Sequence, residues 1–185
     1  MTTTTREGRS AGFTMVELLV GLLVIGLIAG ATVPQVMSRL RQGESATLAQ
    51  NLSALTAASY AFQKDVGRFP GRLEYLAMQP PTAVSSCQAG IANLTGWKGP
   101  YLARQIPATG LVSGPYVISN TPRRVPATAA GTLSGLLYFD VPGVDREVAD
   151  ALEAAFDGNG DFADGTITWT AATGTLSYAM PVRGC

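Results

Sequence analysis

An ionisable side chain inside a long apolar run is the feature of this sequence with the clearest chemical consequence. Glu17 is the fifth residue of an apolar block that opens at Phe13, and from Leu18 to Ser38 no residue is charged. A carboxylate within a membrane span costs on the order of 2.5–3.5 kcal/mol even on lenient scales, so a partner for it is expected. No Lys or Arg follows within a helical turn. A helix N-terminus favours a nearby acid. A chain cut between Gly12 and Phe13 would also place a new α-amine close to Glu17, where the amine of one subunit neutralises the carboxylate of the next. The other reading is a side chain that snorkels to the membrane surface.

Elsewhere the reactive residues are sparse. The chain has no histidine, which excludes Ser-His-Asp triads, imidazole bases and ordinary catalytic zinc. Its two thiols, Cys87 and Cys185, cannot close a zinc site. In an oxidising compartment they would form one intrachain bridge, closing a loop of about 98 residues and contributing roughly 4–5 kcal/mol by chain entropy. Two unpaired thiols or an intermolecular link are the alternatives. The stretch 157–165, DGNGDFADG, offers oxygens at alternate positions, with Asp157, Asn159, Asp161 and Asp164 as calcium ligands. It is not an EF-hand, since Phe162 stands at the sixth position and Thr168 at the twelfth. The same residues also make an ordinary turn between two elements. Arg123-Arg124 is the only adjacent basic pair, and no aromatics interleave with it, so a solvated loop is expected and nucleic acid is not. There is no phosphate-cradling loop and no nucleophile paired with a base. No enzyme activity is expected, and no cofactor other than calcium under the first reading of the loop.

The uncharged stretch Leu18–Ser38 would span about 31 Å as a helix, at about 1.5 Å per residue, close to the hydrocarbon thickness of a bilayer. It is too long for a secretory signal, and its small pair, Ala11-Gly12, precedes the apolar run instead of following it. Gly26 and Gly30 form a small-xxx-small pair suited to close helix packing. Pro34 removes a backbone hydrogen bond and should loosen the helix there. Beyond it, Leu48, Leu52, Leu55 and Phe62 continue one apolar stripe at helical spacing. The spacing predicts one helix from about Phe13 to about Gln63, capped at Gly67 and stopped by Pro70.

The string GFTMVELLVGLLVIGLIAGATVP resembles the prepilin signature of type IV pilins and type II secretion pseudopilins. That resemblance implies cleavage between Gly12 and Phe13, N-methylation of Phe13, and a role for Glu17 in guiding assembly. It places Pro34 where family members often carry a helix breaker that melts locally in the filament. Two further stretches carry the likeness. Asp65–Pro70 is similar to the D-x-G-x-Y-P turn of many pseudopilins, with Phe69 for tyrosine, and Trp97–Leu102 is similar to the W-x-G-P-Y-L element of the major type II secretion pseudopilin. The implied organisation is a leader over 1–12, a transmembrane and filament-core helix over 13–38, its amphipathic continuation over 39–64, and a periplasmic head over 65–185. The implied function is a filament subunit held in the inner membrane, with its own copies, minor pseudopilins, the prepilin peptidase/methylase and an assembly platform as partners. A surface pilus subunit and a single-span anchored binding protein are the other readings. The acidic helix in the head and the two cysteines depart from what the major pseudopilin would show.

The fold class expected is α+β, pilin-like, with a small antiparallel sheet. Leu73–Met78 reads as a short helical piece and residues 79–96 as loop. Strands are expected at Pro115–Ser119, Leu133–Asp140, Thr166–Thr170 and Thr175–Val182. A helix is expected after an Asp145 cap, with Val148, Leu152, Ala155 and Phe156 inward and Gly158 as its stop. The zero net charge conceals a segregation: residues 39–124 hold nine basic and three acidic side chains, residues 125–185 two and eight. Complementary halves suit a protein that stacks on its own copies, and Asp150 and Glu153 are the acids expected to lie on that surface.

Overall fold

The computed structural model describes residues 12–79, 96–126, 134–163 and 165–183. Cys87, Asp164 and Cys185, and with them the expected bridge and one expected calcium ligand, lie outside the described residues. The chain divides into two compact units, Met1–Leu40 and Arg41–Cys185. Helix α1, Met15–Val66, begins in the first and ends in the second.

In the first unit α1 carries Leu, Val and Ile on every side, and the large apolar residues from Val16 to Ile28 are between 46% and 68% exposed. A helix apolar all round belongs in hydrocarbon or in a packed bundle, not in water. Its length and composition suffice to cross a membrane. The helix continues through Pro34 without a break.

In the second unit α1 becomes amphipathic. Leu48, Leu52, Leu55 and Phe62 are completely buried, joined by Ala58 and Ser59 on the same stripe. The helix ends as expected: Gly67 adopts φ +80° and its N–H bonds the Gln63 carbonyl at 2.7 Å, which suits a residue without a Cβ. A single 3-10 turn, Leu73–Leu76, buries Leu73, Tyr75 and Leu76.

Two antiparallel sheets follow. The first is a hairpin of β1 (Gly110–Ser113) and β2 (Tyr116–Ser119). The second has four strands, β3 (Arg123–Pro126), β4 (Ser134–Val141), β5 (Ile167–Thr170) and β6 (Thr175–Arg183), in the order β3-β4-β6-β5. Ile167 pairs with Tyr178 and Trp169 with Leu176, the half-buried hairpin expected from their alternation. Leu137, Phe139 and Val141 of β4 and Leu176, Tyr178 and Met180 of β6 join the α1 stripe in one core.

Three expectations are corrected. Arg123–Pro126 is a strand where a loop is expected, and Gly110–Ser113 is a strand for which the sequence gives no expectation. Both are only four residues long, and their short apolar content leaves almost no alternation to read. Arg123 therefore sits on a sheet, not in a solvated loop. In α2 (Arg146–Phe156) Ala149 is buried while Ala155 is exposed, so the inward face is turned by about one residue from the expected one. Asp145 does precede the helix as its cap residue, but its side chain makes no capping bond; it accepts from Arg41 at 3.1 Å instead.

Candidate assembly site

The N-terminal site is built by the start of α1. Gly12, Phe13 and Thr14 lie outside the helix. The Glu17 N–H donates to the Thr14 hydroxyl at 3.3 Å, so Thr14 is the N-cap and Glu17 stands at the third helical position. This is the S/T-x-x-E spacing of a capping box, written in the sequence as T14-M-V-E17. The cap fixes the helix boundary two residues after the Gly12–Phe13 bond, and Phe13 is 83% exposed. On the described side, Gly12, Phe13 and Thr14 thus precede regular structure. Glu17 itself is exposed among exposed apolar neighbours. A Cβ at Gly12, Gly26 or Gly30 would meet nothing within 4 Å. The described fold therefore demands a small residue at none of these three positions.

The 157–166 loop is organised by carboxylates that grip backbone amides. Glu153, only 4% exposed, accepts from the N–H groups of Asn159 and Gly160 at 2.9 and 2.8 Å. Asp157 accepts from Thr166 at 3.0 Å and from Ile167 at 2.7 Å. The Asn159 and Asp161 side chains close Asx turns onto Asp161 and Ala163. The expected ligands Asp157, Asn159 and Asp161 thus direct oxygens at backbone N–H groups, and among the described residues no three His, Cys, Asp or Glu side chains form a set able to hold a metal. Glu153 is not a surface acid. Its carboxylate is consumed in the loop, which corrects the expectation that its charge lies on a stacking face.

Burial pushes the Asp157 carboxyl up, but the bonds from Ile167 and Thr166 outweigh it and leave the pKa below its ordinary value. A group depressed in the folded state contributes stability above its unfolded pKa and loses it as pH falls through the folded one. The melting temperature of the protein should therefore drop on acidification below the ordinary Asp range, and Asp157→Asn should flatten that part of the profile. In the same melts, calcium or chelator should leave the transition at neutral pH unmoved; an upward shift with calcium would restore the metal reading of the loop.

The W-K-G-P-Y-L element fastens the chain to the end of α1. Tyr101 donates to Asp65 at 3.0 Å and accepts from the Lys98 N–H at 3.0 Å. Its ring meets Phe62 and Trp97 edge-on, while the Trp97 indole donates to the Tyr75 carbonyl at 3.2 Å. A side chain at Gly96 would collide with the Asp65 carbonyl, so this approach requires glycine. On the four-stranded sheet, Arg123 forks onto Asp140 at 3.1 and 3.3 Å and lies over the Tyr138 ring at 4.4 Å. Ser177 donates to the same carboxylate at 2.6 Å. These groups hold one another.

Residues 8–33 match the family model described as the prokaryotic N-terminal methylation motif. The chain has a prepilin-type N-terminus. The capped start of α1 and the all-round apolar helix that follows it lie within the matched residues. Behind the prepilin-type segment stands an α+β, pilin-like head with small antiparallel sheets. Over 75 residues the chain is 32% identical to the type II secretion system core protein G of Pseudomonas aeruginosa strain PAO1, covering 39% of this chain and 53% of that protein. The chain thus spans about half the length of the curated relative it matches. No solved structure matches it.

Proposed function

We propose that this protein is a structural subunit of a type IV-class filament, and that the filament is a periplasmic pseudopilus of type II secretion. In this reading the chain waits in the inner membrane with its head in the periplasm. It is cut after Gly12 by a prepilin peptidase that also methylates Phe13, and polymerises through its N-terminal helices with its own copies and with minor pseudopilins on an inner-membrane assembly platform. The observation that carries it is a carboxylate, Glu17, one turn inside a helix that is otherwise apolar all round and whose glycines face open space. Such a helix gains close backbone packing and a partner for its charge only when other helices surround it. The likeness to core protein G and the W-K-G-P-Y-L clamp favour secretion over a surface pilus, which would share the same N-terminus. The work of such a subunit is mechanical.

Intact-mass analysis of the purified native chain tests this. The expected mass lacks the first twelve residues and carries one added methyl group. Under the same reading Cys87 and Cys185 face an oxidising compartment and pair, so reduction adds two hydrogens. An unprocessed chain overturns the filament reading; a processed chain whose mass is unchanged by reductant overturns only the bridge.

A further inference from the structure

The charge segregation of the sequence becomes, in the folded head, a separation along the axis of α1. At the beginning of the second unit, Arg41 is met by two carboxylates, Asp145 at 3.1 Å and Glu147 at 3.1 Å. Glu44 lies one turn further on, half-buried, and its charge and that of Asp145 both bear on the buried Tyr116. The Asp145 and Glu147 side chains that meet this guanidinium remain 64% and 71% exposed, and the neighbouring cation Arg146 is engaged by Asp150 at 3.6 Å. At the other end of the same helix segment, Lys64 is exposed, Arg68 follows just past the Gly67 cap, and Lys98, 77% exposed, lies 3.8 Å from the Asp65 carboxylate. From Glu44 to Lys64 the helix rises about 30 Å at about 1.5 Å per residue. The head is therefore acidic at one end of its α1 segment and basic at the other, each excess carried by side chains that solvent reaches.

We propose that these two ends are complementary halves of one head-to-tail contact, in which the basic end of one copy of this chain docks on the acidic end of the next. The contact joins different patches of identical subunits, so it repeats without closing and generates a filament instead of a dimer. Opposite potentials at its two faces set the register and disfavour head-to-head encounters, in which like charges would meet. The inference rests on the filament reading and specifies which surfaces of the head the neighbouring copy uses.

Charge exchange in the full chain, expressed with its assembly machinery, tests the contact by the yield of sedimentable filaments. Glu44→Lys with Glu147→Lys, and separately Lys64→Glu with Lys98→Glu, should each reduce filaments about fivefold or more. The four substitutions together restore complementarity with reversed sign, and should return the yield to within about twofold of the parent. The Lys64 side chain is exposed, so Lys64→Glu alone should lower the filament yield while leaving the melting temperature of the detergent-solubilised chain unchanged. Parent-level filaments from both double variants, or a fourfold variant no better than the doubles, would overturn the contact. Loss of cleavage or of filaments in the unsubstituted chain would instead overturn the filament reading beneath it.

Discussion

Glu17→Ala should leave the protein in the membrane and, if the chain polymerises as proposed, abolish its filaments. The carboxylate opposes insertion by about 2.5–3.5 kcal/mol, so alanine in its place makes the span a better membrane helix. Insertion, measured as the carbonate-resistant membrane fraction, is expected to be complete. What disappears is the only charge between Phe13 and Ser38, and with it the means to recognise a positive group on a neighbouring helix. The Thr14 cap survives the substitution, because it uses the Glu17 backbone N–H and not the carboxylate. The start of α1 and the Gly12–Phe13 bond should therefore be unchanged, and processing should continue. A buried charge pair that loses one member leaves the other uncompensated, at a cost of about 3–5 kcal/mol. A loss of that size at each added subunit suppresses polymerisation by far more than the tenfold that corresponds to about 1.4 kcal/mol. Normal filament yield from Glu17→Ala would remove the carboxylate from the assembly mechanism.

The second large effect lies in the head. Glu153→Ala should destabilise it by about 3 kcal/mol, because two backbone N–H groups, those of Asn159 and Gly160, lose a buried charged acceptor worth about 1.5–3 kcal/mol per bond. Asp150→Ala, three residues earlier on the same helix, should change stability by less than about 0.5 kcal/mol. Asp150 is exposed and pairs, among the described residues, with Arg146 at 3.6 Å. Urea denaturation of the two variants in detergent reads the contrast directly. Equal effects would mean that the 157–166 loop contributes nothing to the cooperative unit.

That contrast also shows where the sequence stopped being legible. Glu153 and Asp150 are both acids on one short helix, and both were read as surface charge, since acids are almost never fully buried unless they are paired. The partners of Glu153 are backbone N–H groups of residues six and seven positions later, and no pattern of side-chain types records such a bond. By contrast, the long helix, its stripe and its Gly67 stop were plain, because Leu48, Leu52, Leu55 and Phe62 repeat one physical requirement several times. The prepilin-type start was plain for the same reason, with a small residue, an aromatic, an acid and a long apolar run in fixed order. The missed strands, Gly110–Ser113 and Arg123–Pro126, are too short to repeat anything. The Arg41 bridges to Asp145 and Glu147 join residues more than a hundred positions apart, and only the folded chain brings them together.

The stripe from Leu48 to Phe62 runs for about 21 Å along α1, at about 1.5 Å per residue, and the Tyr101–Asp65 bond and the Trp97 ring sit just beyond its far end. A pull or push directed along the helix therefore meets these contacts side by side. Sliding the helix relative to the head must displace all four large side chains from their sockets at once, and the clamp at the end strains with them. Contacts loaded in parallel in this way share the force, whereas contacts peeled apart from one edge fail in turn. The joint between helix and head is strong in the one direction in which an extending fibre would load it, and it would yield first to a sideways force that opens the seam at its Leu48 end.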